Sequence, residues 1–123
     1  MICLVTGDRK YKHPKKVHAE IYKRRKKIKL LIQGGAKGAD QQAYEAAMLL
    51  GIPTATCDAN WQFFGRRAGP IRNSTMVKIL KAFYDAGENV LVLAFHSNLR
   101  KSKGTADMVR RCKQAKFTVK VVK

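Results

Sequence analysis

Ile32-Gln33-Gly34-Gly35-Ala36-Lys37-Gly38-Ala39-Asp40 sets three glycines and a lysine between an apolar run and a carboxylate. Glycine-rich turns leave backbone N–H groups able to point at an anion, so phosphate binding is the chemistry this composition suggests. Two familiar phosphate patterns are absent. A Walker turn needs Gly-x4-Gly-Lys-Ser/Thr, and here the lysine precedes the last glycine. A dinucleotide turn needs Gly-x-Gly-x-x-Gly, which Gly34, Gly35 and Gly38 do not supply. Asp40 either bonds a ribose hydroxyl or caps the helix it opens. Lys37 is expected to be a solvated lysine rather than a phosphate clamp.

Three other stretches carry comparable residues. In Thr6-Gly7-Asp8-Arg9, Gly7 clears space for a ligand while Asp8 and Arg9 face ribose or phosphate, or else form a polar turn into a basic helix. Asn60 to Asn73 sets Trp61, Phe63 and Phe64 just ahead of Arg66, Arg67 and a Gly69-Pro70 helix start. Aromatics beside arginines suit a base stacked under a charge clamp. Trp61 is read as wall or stack and Arg72 as the clamp, with Asn73 beside it in the first helical turn, where unpaired N–H groups attract anions. Phe63 and Phe64 are read as core. The last stretch runs from His96 to Met108. Its Ser102-Lys103-Gly104-Thr105 makes a second phosphate-type turn, with Thr105 as helix cap or ligand donor. His96 is a ligand contact, a proton carrier or an ordinary polar loop histidine. Met108 and Cys112, four apart, are core.

Alternating strands and helices must position these residues. Residues 2–6, 28–33, 52–57, 89–95 and 117–122 read as apolar, β-branched strands. Between them, helices are predicted over 14 to about 26, 40–50, 70–86 and 104–115, with Pro14 at a first helical position and Gly51 and Gly87 at helix ends. Five strands joined by four helices imply a Rossmann-like α/β/α sandwich with a parallel sheet of order 3-2-1-4-5. In such sheets ligands sit beyond the carboxyl ends of the strands, where the strand order reverses. The glycine-bearing loops after strands one, two and four converge there.

At 123 residues the chain is read as one domain spanning 1–123, and 46% hydrophobic content argues for a folded globule. A formal charge of +18 implies polyanion partners and says nothing of fold. No apolar run reaches the roughly 20 residues of a membrane span, so no membrane partner is expected. The start of the chain has no basic segment ahead of its apolar run, and no signal peptide is expected. Cys3, Cys57 and Cys112 lack CxxC spacing and read as buried free thiols in a reducing cytoplasm. Neither a metal nor a cofactor is implied.

The ordered blocks "LVTGDR", "GGAKGAD", "W...G..AGPIRN..M" and "LAFH...SKGTADMVRRC" resemble the SLOG superfamily, specifically its YspA, cpYpsA-related branch, over nearly the whole chain. Asp8 stands where that branch usually has serine. The resemblance implies a Rossmannoid fold binding a nucleotide or a nucleotide-derived small molecule, as sensor, sequestering protein or hydrolase. SLOG relatives of the LOG type cut the N-glycosidic bond of nucleoside monophosphates and carry Gly-Thr-x-x-Glu in the last turn. This chain has Met108 in place of that glutamate, so Asp8, Asp40 and Asp107 are the candidate carboxylates and enzyme status stays open. The block "GGAKGADQQAY" also looks like one in DNA-processing protein A, a SLOG relative that binds single-stranded DNA, which makes nucleic acid the alternative partner. Residues 9–29 hold 11 lysines and arginines against one acid, and residues 100–123 hold 9 against one. Both clusters could lie on one side of the sheet if the first and last helices share a layer, as right-handed crossovers in this strand order are read to allow. The oligomeric state stays open, a homo-oligomer included.

Overall fold

The three inner strands form because their residues are largely apolar on both faces, as a parallel sheet covered by helices on each side requires. The computed structural model describes residues 1–123. In chain order, β1 (Ile2–Gly7), α1 (Pro14–Tyr22), β2 (Leu30–Gln33), α2 (Ala39–Leu50) and β3 (Thr54–Thr56) come first. The one-turn α3 (Trp61–Phe64) runs through a 3₁₀ turn at Gly65–Arg67 into α4 (Ala68–Asp85). Then follow β4 (Val90–Phe95), α5 (Gly104–Gln114) and β5 (Thr118–Val122). All neighbouring strands are parallel, and the order is β3-β2-β1-β4-β5, as the sequence predicts.

The central strand divides the core by alternation. Cys3 and Val5 of β1 face Val17, Ile21, Ala43 and Ala47, which α1 and α2 contribute. Ile2 and Leu4 face the opposite way, onto Met76, Leu80, Met108 and Cys112 of α4 and α5. Each of the Val, Ile, Leu and Met side chains among them contributes about 1.5–3 kcal/mol on burial. Cys3 and Cys112 are buried free thiols whose pKa burial pushes up to about 12, and Cys57 is half-buried and also free.

Two expectations fail here. α1 packs beside α2, and α4 beside α5, so the first and last helices lie on opposite faces of the sheet. The reason is topological. Chain direction across the sheet reverses after β3, and right-handed crossovers then carry the later helices to the other face. The two basic clusters therefore do not share a layer. Also, α1 stops at Tyr22, and Lys23 to Lys27 continue as i→i+3 turns such as Arg24 N–H to Ile21 O (3.0 Å) and Lys27 N–H to Arg24 O (2.9 Å). Five successive cations repel one another along a regular helix. Glu20, buried at the end of α1, gathers Lys23 (3.1 Å), Arg24 (2.8 Å) and, from β5, Lys120 (3.0 Å). Burial alone would raise the Glu20 carboxyl, but these donors outweigh it and hold it down at about 2.

Candidate functional site

Beyond the carboxyl ends of β1 and β4 lies a cleft of about 330 Å³. Its walls are Thr6 to Lys10 at the end of β1 and just beyond it, His96 after β4, Ala36, and the turn from Lys101 to Thr105 that opens α5. Eight of the sequence-predicted site residues meet here: Thr6, Gly7, Asp8, Arg9, His96, Lys103, Gly104 and Thr105. Lys10 and Lys101 also line it, and no glycine or turn signature in the sequence pointed to them.

Each wall is held by local bonds. Asp8 donates its N–H to Phe95 O (2.9 Å) and accepts at its own carbonyl from Ala39 N–H (3.1 Å), tying the β1 loop to the start of α2. One Asp8 carboxylate oxygen accepts from Lys10 N–H (3.0 Å), and the other faces His96 Nε2 at 4.0 Å. His96 Nδ1 accepts from Asn98 N–H (3.0 Å), an arrangement that leaves the ring proton on Nε2, toward Asp8. Ser102 Oγ accepts from Thr105 N–H (3.0 Å) and Ala106 N–H (3.2 Å), so Ser102, not Thr105, caps α5. A Cβ at Gly104 would meet open space.

Gly7 and Gly38 have packing reasons for being glycine. A Cβ on Gly7 would lie 2.5 Å from Ala39 Cβ and from Phe95 O. Gly38, at φ +74°, would press a side chain into the carbonyls of Asp8 and Arg9.

A second group lies beside the cleft rather than in it. Asp40, 5% exposed, accepts from Ala36 N–H (3.2 Å) with one carboxylate oxygen, while the other is buried without a partner. Burial pushes its pKa up to about 6, against the pull of the Ala36 N–H and the Arg72 guanidinium. Arg72 reaches across from α4 to donate to Gly34 O (2.9 Å). Gln33, buried at the end of β2, accepts from Gly35 N–H and donates to Thr56 Oγ1, both at 2.6 Å. The N–H groups of Gly35 and Ala36 are thus already engaged by the protein itself. A glutamine closing an otherwise apolar run was the signal for Gln33.

On the far side, Asn73 Nδ2 donates to Gly104 O (3.2 Å) and to Asp107 (3.2 Å), buckling α4 to the start of α5. Asp107 is also paired with Arg110 and with Arg111 (2.8 Å). Although partial burial would raise it, these donors lower its pKa. Of the three candidate carboxylates, only Asp8 lines the cleft.

Trp61, 46% exposed, is outside the cleft lining and meets it through Arg9, whose guanidinium is 5.1 Å from the indole centroid. Asn60 caps its short helix through Phe63 N–H (3.1 Å). Phe63 is 77% exposed, which overturns its reading as core, and Phe64 is half-buried. The 3₁₀ turn and the edge position of β3 hold this segment out from the sheet, so its aromatics have no layer to enter. No three His, Cys, Asp or Glu side chains gather in a metal-binding group.

The whole arrangement matches a solved structure, the X-ray structure of DNA processing protein A (DprA) from Streptococcus pneumoniae, with a TM-score of 0.58 and 16% identity. The match covers 96% of this chain and 57% of that one, so the chain spans little more than half the length of that neighbour. At that identity the likeness establishes the fold. No curated protein matches the sequence. A family model does match residues 1–64, which run from β1 through the glycine loop to the Trp61 turn. With that match, a Rossmann-like sheet of order 3-2-1-4-5 and the loops gathered at its carboxyl edge, the chain belongs to the YspA, cpYpsA-related SLOG family.

Proposed function

We propose that the chain binds a nucleotide or nucleotide-derived small molecule at the carboxyl edge, with its phosphate in the β1–β4 cleft. The observation that carries this reading is the lining of the cleft. Arg9, Lys10, Lys101 and Lys103 surround a single carboxylate, Asp8, and one open glycine, Gly104. A volume of about 330 Å³ suits a phosphate with part of its sugar, at the low end of small-molecule sites. Trp61, half-exposed beside Arg9, offers a face for the base. Lys103 and Gly104 supply the phosphate contacts, and Gly34 to Gly38 with Arg72 shape the neighbouring wall.

Mass spectrometry of small molecules released from the purified native protein tests this directly. A nucleoside phosphate or its derivative is the expected finding. Release of nothing, together with no calorimetric response to a panel of nucleoside 5′-phosphates, contradicts it.

Sensing, sequestration and hydrolysis are separated by one further assay, release of free base from nucleoside monophosphates. N-glycosidic cleavage builds positive charge on the ribose, and Asp8 is the carboxylate in the cleft that can oppose it. In that case Asp8→Asn lowers the rate roughly 10²–10³-fold with little change in binding, since the stabilised charge arises only in the transition state. Asp40→Asn and Asp107→Asn are the comparison variants. Binding without base release assigns the domain to sensing or sequestration.

A further inference from the structure

A second concavity, about 610 Å³, is at the opposite end of the sheet from the cleft. It opens at the amino ends of β1, β4 and β5. Its floor includes Phe117 and Tyr84, whose rings pack at 5.9 Å, and Tyr84 is 52% exposed. Lys27, from the turns after α1, stands on one rim, and Lys116, from the end of α5, lines it as well. Those two segments belong to opposite layers of the fold. Neither lysine has a carboxylate partner, and no acid lines the groove. Nearby Glu88 is engaged by Lys29 at 2.8 Å.

Lys116 carries a second signal. It is the one non-glycine residue with positive φ, +65°, and it stands just past the end of α5, where Phe117 N–H returns to Cys112 O (3.0 Å). That is the position helices usually give to glycine. A lysine there adopts the left-handed conformation at a cost, and residues held so tend to mark functional sites.

We propose that this groove binds single-stranded nucleic acid, with an unstacked base against Tyr84 and the flanking phosphates on Lys27 and Lys116. Cations on separate segments of a groove that also carries an aromatic ring match a phosphate–base–phosphate repeat, which a mononucleotide does not contain. A duplex keeps its bases stacked and cannot present one to Tyr84. Stacking plus backbone cations is how sequence-tolerant single-strand binders work. Lys81 Nζ, 5.5 Å from the Tyr84 ring, is paired with Asp85 at 2.7 Å, so Lys27 and Lys116 are the free cations of the groove. The groove and the nucleotide cleft lie at opposite ends of the strands, so either proposal can fail without the other.

The test is fluorescence anisotropy of a labelled oligo-dT 20-mer on the full chain across a salt series. Log affinity should fall with log salt, and Lys27→Glu/Lys116→Glu should weaken binding at least tenfold and flatten the slope by about 1.4, or about 0.7 per lost phosphate contact. The charge-matched Lys12→Glu/Lys15→Glu should have a distinctly smaller effect. Tyr84→Ala should cost roughly tenfold, while Tyr84→Phe keeps the ring and the affinity. Lys116→Gly gives an opposed pair of readings, a higher melting temperature with weaker oligonucleotide binding, and it cannot fail through misfolding. No wild-type binding at low salt overturns the proposal. So do equal losses in the two double reversals, unchanged affinity in Tyr84→Ala, or displacement of the oligonucleotide by equimolar AMP.

Discussion

At the carboxyl edge, Asp8, Ser102, Asp40 and Gln33 each accept a backbone N–H from the loop they belong to or adjoin, so the cleft is held in shape before anything enters it. At the amino edge, Lys27 and Lys116 stand without partners around an open groove. The same strands and helices supply both ends. The difference lies in what the loops do with their polar groups. Loops after the strands turn inward and consume donors and acceptors, giving a defined, small and nearly prebuilt space. At the segments before the strands Glu88 answers Lys29, while Lys27 and Lys116 are left unmatched. Preorganisation belongs to one end and diffuse attraction to the other.

Two glycine substitutions on one cleft sharpen the contrast most. Gly7→Val drives a side chain into Ala39 and Phe95 O, and should cost about 3 kcal/mol or more of stability, measured by denaturant unfolding. Gly104→Val meets open space. It should leave the melting temperature near wild type yet weaken nucleoside-phosphate binding roughly 100-fold or more by calorimetry, by about 2.7 kcal/mol. Loss of binding without loss of fold is the signature of a site wall. Gly35→Val would not serve, since φ is +73° and its Cβ would meet Asp58 and Thr56, so the fold itself would be strained.

Next in size is the buried carboxylate under the glycine loop. Asp40 has its folded pKa raised to about 6 from 3.8, so folding favours its protonated form. That contribution is fully present below about pH 4 and is lost as pH rises through about 6. Its size is on the order of 3 kcal/mol, from about two pKa units. Asp40→Asn should therefore be as stable as wild type or more so at pH 7.5, and the difference should close toward pH 4. A wild-type curve parallel to the variant's between pH 4 and 7 removes Asp40 from this role.

At the amino half of the comparison, Glu20 is the one acid gathering Lys23, Arg24 and Lys120. Glu20→Gln frees three cations at once and should lower stability by about 1–2 kcal/mol in chemical denaturation, with a larger loss at low salt. The smallest effect is expected outside the cleft lining. Trp61→Ala removes half-exposed surface, so unfolding should change by no more than about 0.5 kcal/mol. Nucleoside-phosphate affinity should fall about fivefold, the low end for one stacked base.

Sheet order was readable because apolar β-branched runs alternated with helical stripes, and because right-handed crossovers leave few arrangements for five such strands. The loops that gather at the carboxyl edge were readable for the same reason. What the sequence could not tell was decided through space. Arg72 holds Gly34 O from 38 positions away, and Asn73 buckles α4 to Gly104 and Asp107, 31 and 34 positions on. Nothing local distinguishes such an arginine or asparagine from a ligand contact. Phe63 has the composition of a core residue, and only the edge position of its short helix exposes it. The apolar stripe ends with Tyr22, and nothing in the five cations that follow marks where helix gives way to turns. The layer of each helix follows from strand order and right-handed crossovers together, because direction across the sheet reverses after β3.

The most direct measurement is a two-dimensional amide NMR titration of the uniformly labelled chain with AMP and ADP. Binding in the β1–β4 cleft predicts that the resonances of Gly7 to Lys10, His96 and Lys103 to Ala106 shift with a common saturation curve, while those of Lys27, Tyr84 and Lys116 stay in place. Shifts confined to the amino edge, or none at millimolar nucleotide, would contradict the account.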